Sequence, residues 1–300
     1  MCFFLWGSFF ITYSQAHDDL ETFEKQLSKI APIILYGTHD FHKYEANEKF
    51  SDLLWDALHL DRSYHYPFDS LKTISILQSP DNKFRIFTWN LQKADGSYDF
   101  FGMVQLNPRR ADGEIVYQLD NNKNMPGRQA MQEVFSTENW YGAHYYKIIP
   151  SRYRGKWFYT LLGWDGNNLM TSRKIIDVLV FDNQGHPEFG APVFITKDGV
   201  LQRYIIEYAA HVSVSLKYER HFLYDGRNRT WMIVFDRVAP LAPQLEGHYQ
   251  FYVPETNIFD AFVFENGAWH LYEDVDARTD IKQRSRFRNA RRVPSVFYNF

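Results

Sequence analysis

From about Leu71 onward, apolar and polar residues alternate with a period of two, and this pattern restricts most of the chain to β-structure. Short runs rich in aromatic and β-branched residues, such as residues 84–89 and 175–181, follow one another along the chain. Asp-Gly or Asn-Gly pairs lie between many of them, and both pairs accept the positive φ angles that tight hairpins need. Because short connections join neighbouring strands in antiparallel order, the sequence predicts an antiparallel β-meander.

An aromatic residue, an acid and a glycine or asparagine recur in that order after four of the apolar runs. The acids of the last three triplets are Asp182, Asp225 and Glu265, which are 43 and 40 residues apart. This spacing is close to the length of a four-stranded propeller blade. The first triplet, at Asp165, breaks the spacing, and hairpins in any aromatic-rich β-protein end in this way. We therefore expect a mainly β, propeller-like fold, with a β-sandwich or an open barrel as the alternative.

The aromatic residues, which make up 18% of the chain, are dense between residues 140 and 164. In residues 157–164 both the odd and the even positions are mostly apolar, which predicts a strand that is buried on both faces. Aromatic rings that remain exposed bind sugar rings and partner proteins. We therefore take Trp140 and Tyr141, at the start of this dense region, as candidate binding residues.

A helical section precedes the β-rich part. Residues 18–31 place apolar side chains at helical spacing, with acids in the first turn where the helix dipole favours them, and Pro32 is expected to end this helix. A second amphipathic pattern covers residues 44–60. The predicted organisation is a helical section at 17–66 and a β-rich body at 67–277.

Residues 120–139 interrupt the β-pattern within this body. Pro126-Gly127 indicates a turn, and residues 128–135 are compatible with one or two helical turns. The segment is expected to be a lid or an insertion between two groups of strands.

The first sixteen residues are mostly apolar and end in Ser14-Gln15-Ala16. Small residues at the third and first positions before a cut are typical of signal peptidase sites, so we expect residues 1–16 to be a signal peptide cleaved after Ala16. The protein is then exported to the periplasm or the cell envelope. No basic residue precedes Lys25, which leaves a buried N-terminal strand or helix as the alternative. The apolar run is shorter than the ~20 residues of a membrane span, and none is expected in the mature chain.

Residues 278–300 form a basic C-terminal segment. Between Arg278 and Arg292 there are seven basic residues and one acid, although the whole chain carries a net charge of −3. Such a run is either a solvated terminal segment or a site for anionic partners such as acidic glycans and lipid headgroups. Export makes nucleic acid the least expected partner. The candidate binding residues in this segment are Arg284, Arg286, Arg288, Arg291 and Arg292.

Motifs that would identify a catalytic or metal centre are absent from the sequence. The single cysteine, Cys2, lies in the predicted signal peptide, so the mature chain has no disulfide and no cysteine nucleophile. There is no His-Glu-x-x-His stretch, no Gly-x-Ser-x-Gly elbow and no glycine-rich phosphate loop. Residues 165–168 lack the closing glutamate of a calcium loop and are interpreted as a turn. We predict no cofactor and no metal, and no catalytic residue is identified.

Two hypotheses for function follow. The first is a non-catalytic exported protein that binds a protein or glycan of the cell envelope or serves as an accessory subunit there. The second is a hydrolase that acts on a glycan or another envelope polymer through two carboxylates about 5 to 10 Å apart. It predicts a cleft where two acids converge and at least one has a raised pKa. The acids in or beside predicted strands are Asp165, Asp177, Asp182, Glu207, Asp236, Glu246, Asp260 and Glu273.

Overall fold

The computed structural model describes residues 7–111, 113–121, 125–222, 229–275 and 291–292. In these residues a pair of helices is followed by three sheets in which nearly all neighbouring strands are antiparallel. The expected mainly β fold with a helical N-terminal section is therefore confirmed.

The helical section consists of α1 (Gly7–Tyr36) and α2 (Asp40–His59), which pack against each other. The expectation that Pro32 ends the first helix is wrong, because α1 continues through it to Tyr36. Ala31 and Ile34 on either side of the proline are buried, and their packing compensates for the missing backbone hydrogen bond. The helix ends at Gly37, where a Cβ atom would lie 2.5 Å from the carbonyl oxygen of Ile33, so only glycine fits.

The first sheet separates the helices from the rest of the molecule. Its strands lie in chain order and are β1 (Ser75–Gln78), β2 (Phe84–Gln92), β3 (Tyr98–Leu106) and β4 (Val116–Leu119). The alternation of side chains along β2 directs Phe87 and Trp89 toward the helices, whereas Phe84 and Ile86 face the second sheet.

The second sheet lies in the middle of the molecule. Its strand order is β5-β9-β8-β7-β6, and β12 pairs with β8. The bounds are β5 (Phe135–Ser136), β6 (His144–Tyr153), β7 (Lys156–Asp165), β8 (Thr171–Phe181), β9 (Pro187–Phe189) and β12 (Tyr204–Ala209).

The third sheet has the order β11-β10-β16-β15-β14-β13, and β17 pairs with β16. Only the β10–β16 pair among the described strands is parallel. The bounds are β10 (Phe194–Thr196), β11 (Gly199–Leu201), β13 (Leu216–Phe222), β14 (Arg229–Pro240), β15 (Tyr252–Glu265), β16 (Ala268–Val275) and β17 (Arg291–Arg292).

Strand β7 shows how the sheets stack. Tyr159 and Leu161 pack in the core shared with the first sheet, while Phe158 and Leu162 pack in the core shared with the third sheet. This confirms the prediction that the strand is buried on both faces. The layers are therefore helices, first sheet, second sheet and third sheet.

The propeller-like arrangement is not found, and the described strands do not close into a barrel either. The triplets at Asp165 and Asp182 lie at opposite ends of β8 in the second sheet, and the triplet at Glu265 lies in the third sheet. The triplet at Asp225 lies outside the described residues. The shared pattern reflects turn chemistry: Asn266 and Gly267, with φ angles of 52° and 89°, form the tight turn between β15 and β16.

The segment at 120–139 connects the first sheet to the second. It contains a single helical turn, α3 (Gly127–Ala130), followed by β5 and a 3₁₀ turn at Thr137–Asn139. The helical part is thus shorter than the two turns that the sequence allowed. The connection places α3 beside β12 and close to one end of the stacked sheets.

Candidate functional site

A cavity of about 450 Å³ opens at one end of the stacked sheets. Its walls are the β2–β3 turn, the β7–β8 connection, strand β12 and the β14–β15 connection. Leu169 and Met170, 72% and 59% exposed, also contribute to the lining. None of the described lining residues is a lysine, arginine or histidine. The polar lining residues are Asp95, Asn168, Thr171, Glu207, Tyr249 and Gln250.

The β7–β8 connection is rigid because its side chains bind its own backbone. Asp165 Oδ1 accepts a hydrogen bond of 2.6 Å from the amide of Asn167, and Asn168 Oδ1 accepts one of 2.8 Å from the amide of Met170. The preceding Gly166 is required by packing, since a Cβ atom there would collide with the Tyr98 ring. The interpretation of residues 165–168 as a turn is therefore confirmed, and the turn forms one cavity wall.

Arg173 on β8 holds the acids behind this wall. Its Nε donates to Glu207 Oε2 over 3.0 Å, and its Nη1 lies 3.3 Å from Asp165 Oδ2 and 3.2 Å from the Tyr141 hydroxyl. The other oxygen of Glu207 accepts a hydrogen bond of 2.8 Å from Thr171 Oγ1. These contacts exist because β8 and β12 pair so that Arg173 lies directly opposite Glu207.

Burial and neighbouring charges shift the pKa values of Asp165 and Arg173 in opposite directions. Burial raises the pKa of Asp165 above its ordinary value, although Arg173 and the Asn167 amide oppose the shift. Burial would lower the pKa of Arg173, but Tyr141, Glu207 and Asp165 together raise it. The cluster therefore keeps a permanent cation between two acids at the base of the cavity wall.

The β14–β15 connection forms the opposite wall. It contains a 3₁₀ turn at Tyr249–Phe251, and the Tyr249 ring packs 5.0 Å from the Tyr252 ring. Arg128 of α3 donates from Nε to the Tyr249 hydroxyl over 3.1 Å. The segment at 120–139 thus contributes to the rim of the cavity, although none of its described residues lines the cavity.

The aromatic residues predicted to bind a partner are buried. Trp140 is fully buried and donates from Nε1 to the Tyr145 hydroxyl over 3.2 Å, and Tyr145 in turn donates to Asp177. Tyr141 is 6% exposed, and its hydroxyl reaches Arg173. The expected surface display of these two rings is wrong, because both pack in the core between the first and second sheets. Of the two, only Tyr141 contacts the cluster of Arg173, Asp165 and Glu207.

Most of the predicted basic site lies outside the described residues. This applies to Arg284, Arg286 and Arg288. Arg291 and Arg292 form β17, whose backbone pairs with Glu273 and Tyr272 of β16.

Of the eight acids considered from the sequence, the structure brings Asp165 and Glu207 together. Asp177 pairs with Arg203 in the core, and Asp260 pairs with Arg237. Asp182 binds the backbone of its own turn, and Asp236 accepts a hydrogen bond from the Ser215 amide. Sequence analysis missed Asp95, Arg173, Tyr249 and Gln250, because only the tertiary fold brings these distant positions together.

The described residues contain no group of three or more histidine, cysteine, aspartate or glutamate side chains that could hold a metal ion. His39 and His42, at the beginning of α2, have ring centroids 6.0 Å apart, and His42 contacts Glu45. None of the helices in the described part of the chain is both long and apolar enough to cross a membrane.

Comparison with known proteins finds no match. No family model matches the chain, and no curated protein or solved structure is similar to it. The functional assignment therefore rests on the cavity and its residues.

Proposed function

We propose that this chain is a non-catalytic, exported protein of the cell envelope that binds a glycan in the cavity beside Glu207. The observation that carries the proposal is the composition of the cavity lining. Two carboxylates, two amides and a threonine hydroxyl surround one space together with the ring of Tyr249.

These groups match the chemistry of a sugar. Sugar hydroxyls donate to carboxylates, accept from the side-chain nitrogens of Asn168 and Gln250, and donate to the amide oxygen of Gln250. The apolar face of a sugar ring packs on an aromatic ring, which Tyr249 supplies. The carboxylate of Glu207 is held at both oxygens by Arg173 and Thr171, so its orientation is fixed before a ligand arrives. Fixed polar groups reduce the entropy lost on binding.

The same contacts favour binding over hydrolysis. Glycoside cleavage by a carboxylate pair needs one protonated carboxyl that gives its proton to the leaving oxygen. Both oxygens of the Glu207 carboxylate already accept hydrogen bonds, Oε2 from Arg173 and Oε1 from Thr171. Asp165 has a raised pKa but is 7% exposed and does not line the cavity. Neither acid is therefore placed to protonate a bound glycan.

One observation favours the second candidate, a glycan hydrolase. Asp165 and Glu207 converge on Arg173 at one cavity, and burial raises the pKa of one of them, as that hypothesis required. Rotation of Arg173 away from the pair would release both acids. The two candidates differ in outcome, because a hydrolase converts its ligand and a binding protein returns it unchanged.

The test is a panel of neutral oligosaccharides: maltohexaose, cellohexaose, mannohexaose and N-acetylchitohexaose. Each is incubated with the full chain, and binding is measured by calorimetry. The mass of the recovered sugar is then determined by mass spectrometry. Binding of a panel member that is recovered intact supports the proposal. Cleavage that disappears in Glu207→Gln supports the hydrolase instead. Absence of binding and cleavage across the panel contradicts both.

The cellular location is a separate part of the proposal and rests on the residues that end at Ala16. We expect the mature protein to begin at His17 in the native host. Sequencing of the mature N-terminus from fractionated cells tests this directly. A chain that retains residues 1–16 in the cytoplasmic fraction would contradict export.

A further inference from the structure

The end of the sheet stack opposite the cavity carries a second surface, which we call the basic aromatic surface. It is defined by Tyr218 and Arg220 of β13 and by Arg229 and Trp231 of β14. On β13 and β14 these positions have the same parity as Leu216, Ile233 and Phe235, which lie in the core between the second and third sheets. The surface therefore lies on the core-facing side of β13 and β14, at the end of the strands where this side is no longer covered by the second sheet.

Trp231 forms an exposed platform with a rigid support. It is 50% exposed, and its ring stacks on Tyr218 with centroids 4.9 Å apart and an interplanar angle of 20°. The rings of Tyr218 and buried Trp269 are nearly perpendicular, with centroids 6.4 Å apart. Trp269 Nε1 in turn donates to Thr160 Oγ1 over 2.9 Å. Because each ring is held by the next, the platform is ordered without a ligand.

Two exposed arginines of β13 and β14 flank this platform. Arg220 is the direct register partner of Trp231 and donates from Nη2 to the Arg229 carbonyl over 3.1 Å. Arg229 has the same parity as Trp231 on β14 and lies over the Phe222 ring at 5.4 Å. The cationic groups are therefore held by contacts with neighbouring rings and backbone while they remain exposed.

Among the residues that the structure describes, nearby acids do not neutralise this surface. Glu219 lies on the opposite face of β13, where it contacts Lys217 and His221. Glu265 has the parity of the outer face of β15 and binds the Tyr272 hydroxyl. Asp182, at the same end of the second sheet, accepts hydrogen bonds from the amides of Gln184 and His186 in its own turn. The described part of the surface therefore carries net positive charge around an aromatic ring.

We propose that the basic aromatic surface is a binding site for an acidic polysaccharide, independent of the cavity. A sugar ring stacks on Trp231, and carboxylate groups of the polysaccharide pair with Arg220 and Arg229. A membrane surface fits less well, because Trp231 is the one large apolar side chain exposed at this end among the described residues. Interfacial binding to lipid requires a broader apolar face.

The test uses two matched probes, a galacturonic acid oligomer and its methyl ester, with the full chain. The acid form is expected to bind at least about tenfold more tightly than the ester, and its affinity should fall as salt is added. Equal affinities, or tighter binding of a single-stranded oligothymidylate, would overturn the proposal.

Variants assign the binding to this surface. Arg220→Glu and Trp231→Ala should each weaken binding of the acid oligomer by about tenfold. Trp231→Phe keeps an aromatic ring and should lose less than Trp231→Ala, which separates the loss of the platform from a general loss of fold. Lys217→Glu makes the same charge change on the opposite face of β13 and should have little effect. Equal effects of Arg220→Glu and Lys217→Glu would refute the assignment.

Discussion

Arg203 donates from Nε to Asp177 Oδ1 over 3.1 Å, and both side chains are completely buried in the middle of the sheet stack. The same guanidinium donates to the carbonyls of Ala130, Glu133 and Phe189. One buried ion pair thus joins β8 to α3 and to the end of β9. It fixes the segment whose Arg128 reaches the cavity rim.

Removal of this cation should be severely destabilising. Arg203→Met leaves the Asp177 carboxylate buried without its charged partner, and we expect the free energy of unfolding to fall by about 3 to 5 kcal/mol. Urea unfolding followed by tryptophan fluorescence measures this. The double variant Arg203→Met with Asp177→Leu removes both charges and should recover part of the loss. A single variant within about 1 kcal/mol of the parent would show that the pair is not needed for stability.

Gly166 provides a test of the cavity wall. Because an added Cβ atom meets the Tyr98 ring, Gly166→Ala should cost about 1 to 3 kcal/mol through overpacking. The double variant with Tyr98→Leu removes the ring and should recover most of that cost, as coupled neighbours do. Thermal unfolding of the four proteins of this cycle measures the coupling. Additive losses would mean that the two residues do not meet.

Alkaline pH should destabilise the protein through its buried tyrosines. Burial raises the pKa of Tyr145 and Tyr204 well above 10, and it raises the pKa of Tyr64 and Tyr208 to about 12. The unfolded chain releases these protons near pH 10, while the folded chain retains them, so stability present below pH 10 is lost as the pH rises toward the folded values.

The expected slope is about 1 kcal/mol per pH unit for each such tyrosine. Arg85 acts in the opposite direction, because burial lowers its pKa to about 10. The folded chain therefore releases this proton more readily than the unfolded chain, which raises the stability as the pH rises. The tyrosines outnumber Arg85 and should decide the sign. Urea unfolding between pH 8 and pH 11, with tyrosinate absorbance recorded in parallel, checks this. Constant stability across that range, or free titration of all tyrosines in the folded protein, would contradict the burial described above.

Local features of the fold follow from the sequence. The change of period near Leu71 correctly separates helices from strands, and the apolar character of both faces of residues 157–164 correctly predicts a doubly buried strand. Asn266-Gly267 forms the tight turn that its residue types predict. Each of these depends on neighbours in the chain, where side-chain period and turn chemistry act directly.

The stacking of sheets and the cavity could not be predicted in this way. The triplets at Asp182, Asp225 and Glu265 have a spacing close to that of propeller blades, but an acid before glycine or asparagine is common at the end of any hairpin. Glu207 meets Arg173 only because β12 pairs with β8 although three strands lie between them in the chain. The burial of Trp140 depends on packing against a sheet that lies earlier in the sequence, so local patterns do not predict it.

We propose that the cavity beside Glu207 binds a neutral glycan without cleaving it. Calorimetry with the best-binding sugar of the neutral panel compares the affinities of the parent, Glu207→Gln and Glu246→Gln. Glu246 is an exposed acid on the β14–β15 connection that does not line the cavity. We expect Glu207→Gln to weaken binding by about tenfold or more and Glu246→Gln to leave it unchanged, since a hydrogen bond to a charged group is worth about 1.5 to 3 kcal/mol. Equal affinities for all three proteins would show that the sugar does not bind beside Glu207.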